Sequence, residues 1–212
     1  MSNVTLARKY WDKAFEYYFD GESERAIAAG RKALKLNPRL ARPHWIIGYA
    51  YLTREPSERE SAIKEFRQLV EKDPRWPASH AALGGVLSLQ GRIDEALKCY
   101  REAVRLDPQH PRMRIELARL LLKRNDYREA IRVLRGISSP FSTLLDAYHL
   151  LARAMEENGN YGRAEMRAAW EHILTFDETI PANARAMADA RERLEKMGPV
   201  SQVEILFPKR ER

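Results

Sequence analysis

Residues 77–108 read PASHAALGGVLSLQGRIDEALKCYREAVRLDP. Two stretches of helical periodicity flank the turn signal Gln90-Gly91, so the segment reads as two helices joined by a tight turn. Its end is equally plain. Proline cannot continue a helix, and it pushes the residue before it out of the helical region, so Asp107-Pro108 stops the second helix. The expected unit is a helical hairpin of about one third of a hundred residues.

The same sentence is written elsewhere in the chain. LKLNPR ends a run at Asn37-Pro38, VEKDPR ends one at Asp73-Pro74, and VRLDPQ ends the quoted one, so the prolines are spaced 36 and 34 residues apart. Turn signals fall between them and after them at Asp20-Gly21, Glu55-Pro56-Ser57, Asn125-Asp126 and Asn158-Gly159-Asn160. A fixed period of this size is the mark of a stacked repeat, in which each unit buries its apolar face only against its neighbours.

The quoted unit resembles a tetratricopeptide repeat, whose first helix carries a Leu-Gly pair and whose second carries a small-aromatic-small triplet before a proline. Leu83 and Gly84 fill the pair, Leu87 takes the tyrosine slot, Ala96, Tyr100 and Ala103 form the triplet, and Pro108 closes it; His80 stands where the family has tryptophan. The second unit matches with Ile47, Gly48, Tyr51, Ala62, Phe66, Leu69 and Pro74, after two extra turn residues. The first supplies Tyr10, Ala14, Tyr17, Ala26, Ala33 and Pro38, departing at Lys13 and Gly30. The fourth keeps Leu117, Ala118, Leu121, Ala130 and Leu134 but ends early at Ser138-Ser139-Pro140, and a degenerate fifth keeps Tyr148, Leu151, Ala152 and Ala164. Gly48 and Gly84, with Ala62 and Ala96 opposite, are the small residues expected to let paired helices cross closely.

The resemblance implies an all-α fold, a right-handed superhelical solenoid of about five hairpins. The expected repeats span residues 7–40, 41–76, 77–110, 111–144 and 145–175, after a leader over 1–6. Residues 182–197, with Ala186, Ala190 and Leu194 along one face, suit an amphipathic capping helix, which a solenoid needs over its last apolar face. A flexible tail is expected over 198–212, where Val203 to Phe207 form a short apolar run that either frays or docks.

Composition narrows the function. Of 212 residues 44% are hydrophobic and 32% charged, which suits a thin helical fold with much surface. The longest uncharged apolar run, Trp45 to Leu52, is far short of the roughly 20 residues of a membrane span. The opening residues lack a signal-like apolar core, so a cytoplasmic location is expected. One cysteine, Cys99, excludes an internal disulfide and reads as a helix-packing residue. No phosphate-cradling, zinc-binding or nucleophile-elbow motif occurs, and His44, His80, His110, His149 and His172 lack metal-ligand spacing, so neither a catalytic residue, a metal nor a cofactor is expected.

The expected function is therefore that of a non-catalytic scaffold or adaptor. The resemblance implies a concave groove built by the first helices that binds a peptide or a partner helix. Helical spacing would turn Trp11 and Phe15 inward from the first unit and Arg42, Trp45 and Tyr49 from the second. The third offers the small residues Ala78, Ala81, Gly85 and Ser88. Arg112, Ile115, Arg119 and Lys123 come from the fourth, and His149 and Arg153 from the fifth. The aromatic residues and arginines are the usual interface anchors, although large residues here also suit packing between repeats. The chaperone carboxylate clamp of some family members is not matched: Trp11, Phe15, Ile46, Ala78 and Ala82 stand at the corresponding sites, where lysine, asparagine and arginine would be needed.

Charge is uneven. Residues 111–140 hold eight basic side chains against three acidic ones, and so carry +5 of the net +7. This excess suits either a solvated, self-repelling surface, since much of it falls on second helices that face outward, or attraction for an acidic partner segment, with Arg112, Arg119 and Lys123 inside the groove. An RNA or DNA partner ranks below a protein, because basic and acidic residues are interspersed and no nucleic-acid motif is present. Self-association through an exposed end is a third reading.

Overall fold

This computed structural model describes residues 2–137, 143–176 and 179–198. Among them the chain forms eleven α-helices and two 3-10 turns, with no strand. The helices are α1 (Asn3–Phe19), α2 (Ser23–Leu36), α3 (Arg42–Arg54), α4 (Arg59–Lys72), α5 (Pro77–Leu89), α6 (Ile93–Leu106), α7 (Pro111–Lys123), α8 (Tyr127–Arg135), α9 (Thr143–Asn158), α10 (Arg163–Ile173) and α11 (Ala184–Met197). They fall into two compact units, Met1–Asp107 and Pro108–Arg212.

The first unit is three antiparallel hairpins, α1/α2, α3/α4 and α5/α6, with α2 packed on α3 and α4 on α5. Proline-directed stops set the hairpin ends: Asn37, Asp73 and Asp107 each follow a helix, and Asn37 is extended at φ −144°, ψ 94° before its proline. Proline in the first turns of α3 and α5 presets the helical φ at their starts. Helix α1 begins at Asn3, inside the expected leader, because the Ser2 hydroxyl accepts a hydrogen bond from the Thr5 N–H and caps it.

The small residues do what the spacing required. A Cβ on Gly48 would lie 2.5 Å from Phe66 Cε1, and one on Gly84 would lie 2.8 Å from Tyr100 Cδ2, so only a bare backbone permits these crossings. Gly30, a departure from the repeat pattern, has the same use between hairpins: its added Cβ would meet Ile47 Cγ1 at 2.7 Å. Around these contacts Ile47, Ile63, Phe66 and Leu69 are fully buried, each stabilising the unit by about 1.5–3 kcal/mol.

The second unit contains α7/α8 and α9/α10, with α8 packed on α9 and α11 packed on α10 and α9. Helix α8 is only nine residues long and closes at Gly136, ahead of Ser138-Ser139-Pro140, which lie outside the described residues. Arg114 of α7 secures that short helix by donating from Nη1 to the Val133 carbonyl at 2.9 Å and from Nε to the Pro108 carbonyl at 2.5 Å. Helix α11 lies where a cap is needed. Its Ala186, Met187 and Ala190 join Trp170 and Ile173 of α10 and Leu145 and Ala152 of α9 in one core, with Leu194 half-buried against it. The run Val203 to Phe207 lies outside the described residues.

Candidate interaction surfaces

In the first unit, α1 and α3 lie side by side and bring their aromatic residues together. Trp45 packs against Tyr49 in a tilted contact at 4.8 Å between ring centroids, Tyr18 meets both edge-on or tilted at 6.3 and 6.4 Å, and Tyr49 passes the contact to Phe66 at 5.1 Å. Tyr49 therefore links the aromatic face to the hairpin core. Phe15 remains 42% exposed and touches Phe19, itself exposed, at 4.6 Å.

Trp11, Phe15, Arg42, Trp45, Ile46 and Trp76 line a cleft of about 150 Å³. The Arg42 guanidinium lies 3.7 Å from the Trp76 ring centroid, a cation–π contact that fixes one wall. The Trp11 indole N–H is closed from solvent and finds no acceptor among the described residues. Such a donor is uncommon in a finished core, where nearly all buried polar groups are paired. Next along the unit, Ala78, Ala81, Gly85 and Ser88 are all half-buried on α5. Trp76 was not among the residues expected from spacing, because it precedes α5 rather than lying on it. Its signal was the Trp-Pro pair at a helix start.

In the second unit the expected residues separate. Arg112 and Lys123 are exposed on α7, and Arg119 is exposed but bonded to Asp146 at 3.0 Å, with Glu116 at 3.9 Å. Ile115 is only 5% exposed and belongs to the core, because α7 turns it toward neighbouring helices; it offers no surface. His149 is also engaged: its Nε2 lies 2.7 Å from Asp189 of the capping helix. Beside it Arg193 bonds Glu156 at 2.8 Å and Asp189 at 3.4 Å, so the polar side of α9 clamps α11. Burial alone would raise the Asp189 carboxyl, but hydrogen bonds from His149 and Arg193, and their charges, hold it below the usual range. Arg153 stays exposed with no ion pair among the described residues.

Among the described residues no three His, Cys, Asp or Glu side chains converge as metal ligands do, and no helix is long and apolar enough to cross a membrane. The Cys99 thiol is pushed up to about 11, chiefly by burial, which suits packing and not nucleophilic chemistry.

Comparison with known proteins agrees with this geometry. Two tetratricopeptide-repeat family profiles match residues 57–111 and 87–141. No curated protein matches the sequence. Among solved structures, the chain is similar to the MamA protein, at 16% identity and a TM-score of 0.65 over 92% of this chain and 97% of that one. It is similar to YrrB, described as a TPR protein with an unusual peptide-binding site, at 20% identity and a TM-score of 0.67 over 86% and 90%. It is also similar to the first TPR of Spaghetti (RPAP3) bound to an HSP90 peptide, at 18% identity and a TM-score of 0.54 over 57% and 94%. The fold defines an all-α repeat protein of the solenoid class. Residues 57–141 carry tetratricopeptide repeats.

Proposed function

We propose that this chain is a non-catalytic interaction scaffold that holds a peptide or helix of a protein partner, with the aromatic cleft of the first unit as its anchoring point. The observation that carries this reading is the cleft itself: three tryptophans and Phe15 around a small apolar space, beside an unmatched indole donor. Aromatic and arginine side chains dominate interface energetics, and a cleft of this size suits one apolar side chain of a partner. Two of the similar structures are described through the peptides they bind, which supports the class of partner.

Trp11, Trp45 and Trp76 supply the readout. Peptides selected from a random library on the full chain should quench or shift tryptophan emission on titration, and Trp45→Ala should weaken them by about tenfold or more, as for an interface anchor. Peptides that bind Trp45→Ala as tightly as the wild type would place the partner elsewhere.

A further inference from the structure

The second unit contains a larger cleft, of about 390 Å³, that the reading above does not use. Arg128, Arg132 and Arg135 line it from α8, and Asn158, Asn160 and Tyr161 line it from the turn between α9 and α10, over a floor that includes Ile131. The arginines stand at successive spacings of four and three, so they share one helix face over about 10 Å of axis. Among the described residues no carboxylate lines the cleft.

Helix stability does not account for this arrangement. Arg132 and Arg135 in the last turn complement the negative end of the helix dipole, but Arg128 is the second residue of α8, at the positive end, where a cation is disfavoured. Arg128 and Arg132 are also a like-charge pair at four-residue spacing, which costs a helix stability. Compensation within the fold is partial. Glu129 reaches Arg132 at 3.7 Å, whereas Arg128 has no ion pair among the described residues. The turn adds donors: Asn160 Nδ2 donates to Asn158 Oδ1 at 3.4 Å, which uses the Asn158 oxygen and leaves its Nδ2 to donate.

From this geometry we infer that the cleft is a second docking site, which binds an acidic segment of a protein partner. Guanidinium forks pair with carboxylates in planar, bidentate fashion, and a row of about 10 Å matches acidic residues two or three positions apart on an extended chain. A nucleic acid fits less well. Single strands are held by stacking bases on aromatic faces, and the one aromatic ring lining this cleft among the described residues, Tyr161, already has the Arg135 guanidinium 5.3 Å from its centroid. The site belongs to the second unit and the aromatic cleft to the first, so its failure would leave the anchoring proposal untouched.

The test is fluorescence anisotropy on the full chain with a fluorescein-labelled hexaglutamate peptide at low salt, alongside an oligothymidylate of equal charge. The peptide should bind saturably, and Arg128→Glu with Arg132→Glu should weaken it by about tenfold or more, as expected for lost charge-assisted hydrogen bonds. Arg128→Gln, a milder change at an exposed position, should weaken it by a few fold. The control is Lys35→Glu with Lys64→Glu, the same charge change at exposed sites of the first unit. Equal weakening by both double variants would reduce the effect to net charge and overturn the site. So would tighter binding of the oligothymidylate than of the peptide, or the absence of saturable peptide binding.

Discussion

Gly48 of α3 faces the Phe66 ring of α4 with no room for a single added carbon: a Cβ there would stand 2.5 Å from Cε1. Both residues sit in the middle of their helices, and Phe66 is fully buried. Gly48→Ala should therefore destabilise the first unit by about 1–3 kcal/mol, although alanine is the better helix former. Phe66→Leu should be costly alone yet recover part of the loss in the double variant, because the two changes share one contact. Urea denaturation of the four proteins gives the coupling. Additive costs would mean that the crossing is not the constraint.

Arg42 fixes one wall of the aromatic cleft through Trp76, at 3.7 Å from its ring centroid. Arg42→Ala should lower stability by only about 0.5–1 kcal/mol, the usual size of a partly exposed cation–π contact. It should also make Trp76 more accessible to an acrylamide quencher. Arg42→Lys should restore less than the full effect, because an ammonium lacks the flat face that stacks on indole.

Asp189 ties pH to the seating of the capping helix. Its carboxyl lies below the usual range when folded, so the stabilisation is complete above the unfolded carboxyl's value and is lost as pH falls through the folded one. Protection of the α11 amides, taken relative to their intrinsic exchange rates at each pH, should fall on acidification below about pH 4 in the wild type. In Asp189→Asn the same amides should exchange faster already at neutral pH, and the two proteins should converge in acid. Parallel curves would assign the acid response to other carboxylates.

Cys99 offers a chemical check on packing. Burial first, with the Glu95 charge adding and Arg67 opposing, pushes its thiol up to about 11. A disulfide reagent at pH 8 should react about a hundredfold more slowly with the folded chain than with the denatured one. Gly84→Ala should raise the folded rate, because the added carbon would press on Cys99 Cβ at 3.2 Å.

The fold was legible where a residue's role is set by its own hairpin. The stops at Asn37, Asp73 and Asp107, and the small residues at Gly48 and Gly84, follow from local stereochemistry and one neighbouring helix. The surfaces were less legible, because exposure depends on what arrives from far along the chain. His149 looked available until Asp189, forty residues later, took its Nε2. Ile115 shares a helix face with exposed arginines, yet packing buries it. His44 is a hairpin-contact histidine, as such residues often are, with Nδ1 at 2.7 Å from Glu65. Arg128, Arg132 and Arg135 enter the sequence only as part of the basic excess of residues 111–140; the turn at Asn158–Tyr161, brought against them, makes that charge the wall of a cleft.

Four of the five hairpin turns pivot on a left-handed residue, Gly21, Gly91, Asn125 or Gly159, while the second carries extra residues wound into a 3-10 turn at Pro56–Glu58. The α3/α4 pairing beneath that longer turn keeps its Gly48–Phe66 crossing intact. Chain length at this end of a hairpin is thus decoupled from helix register, which makes residues 55–58 the natural point for splicing in a reporter peptide or a recognition tag without redesigning the array.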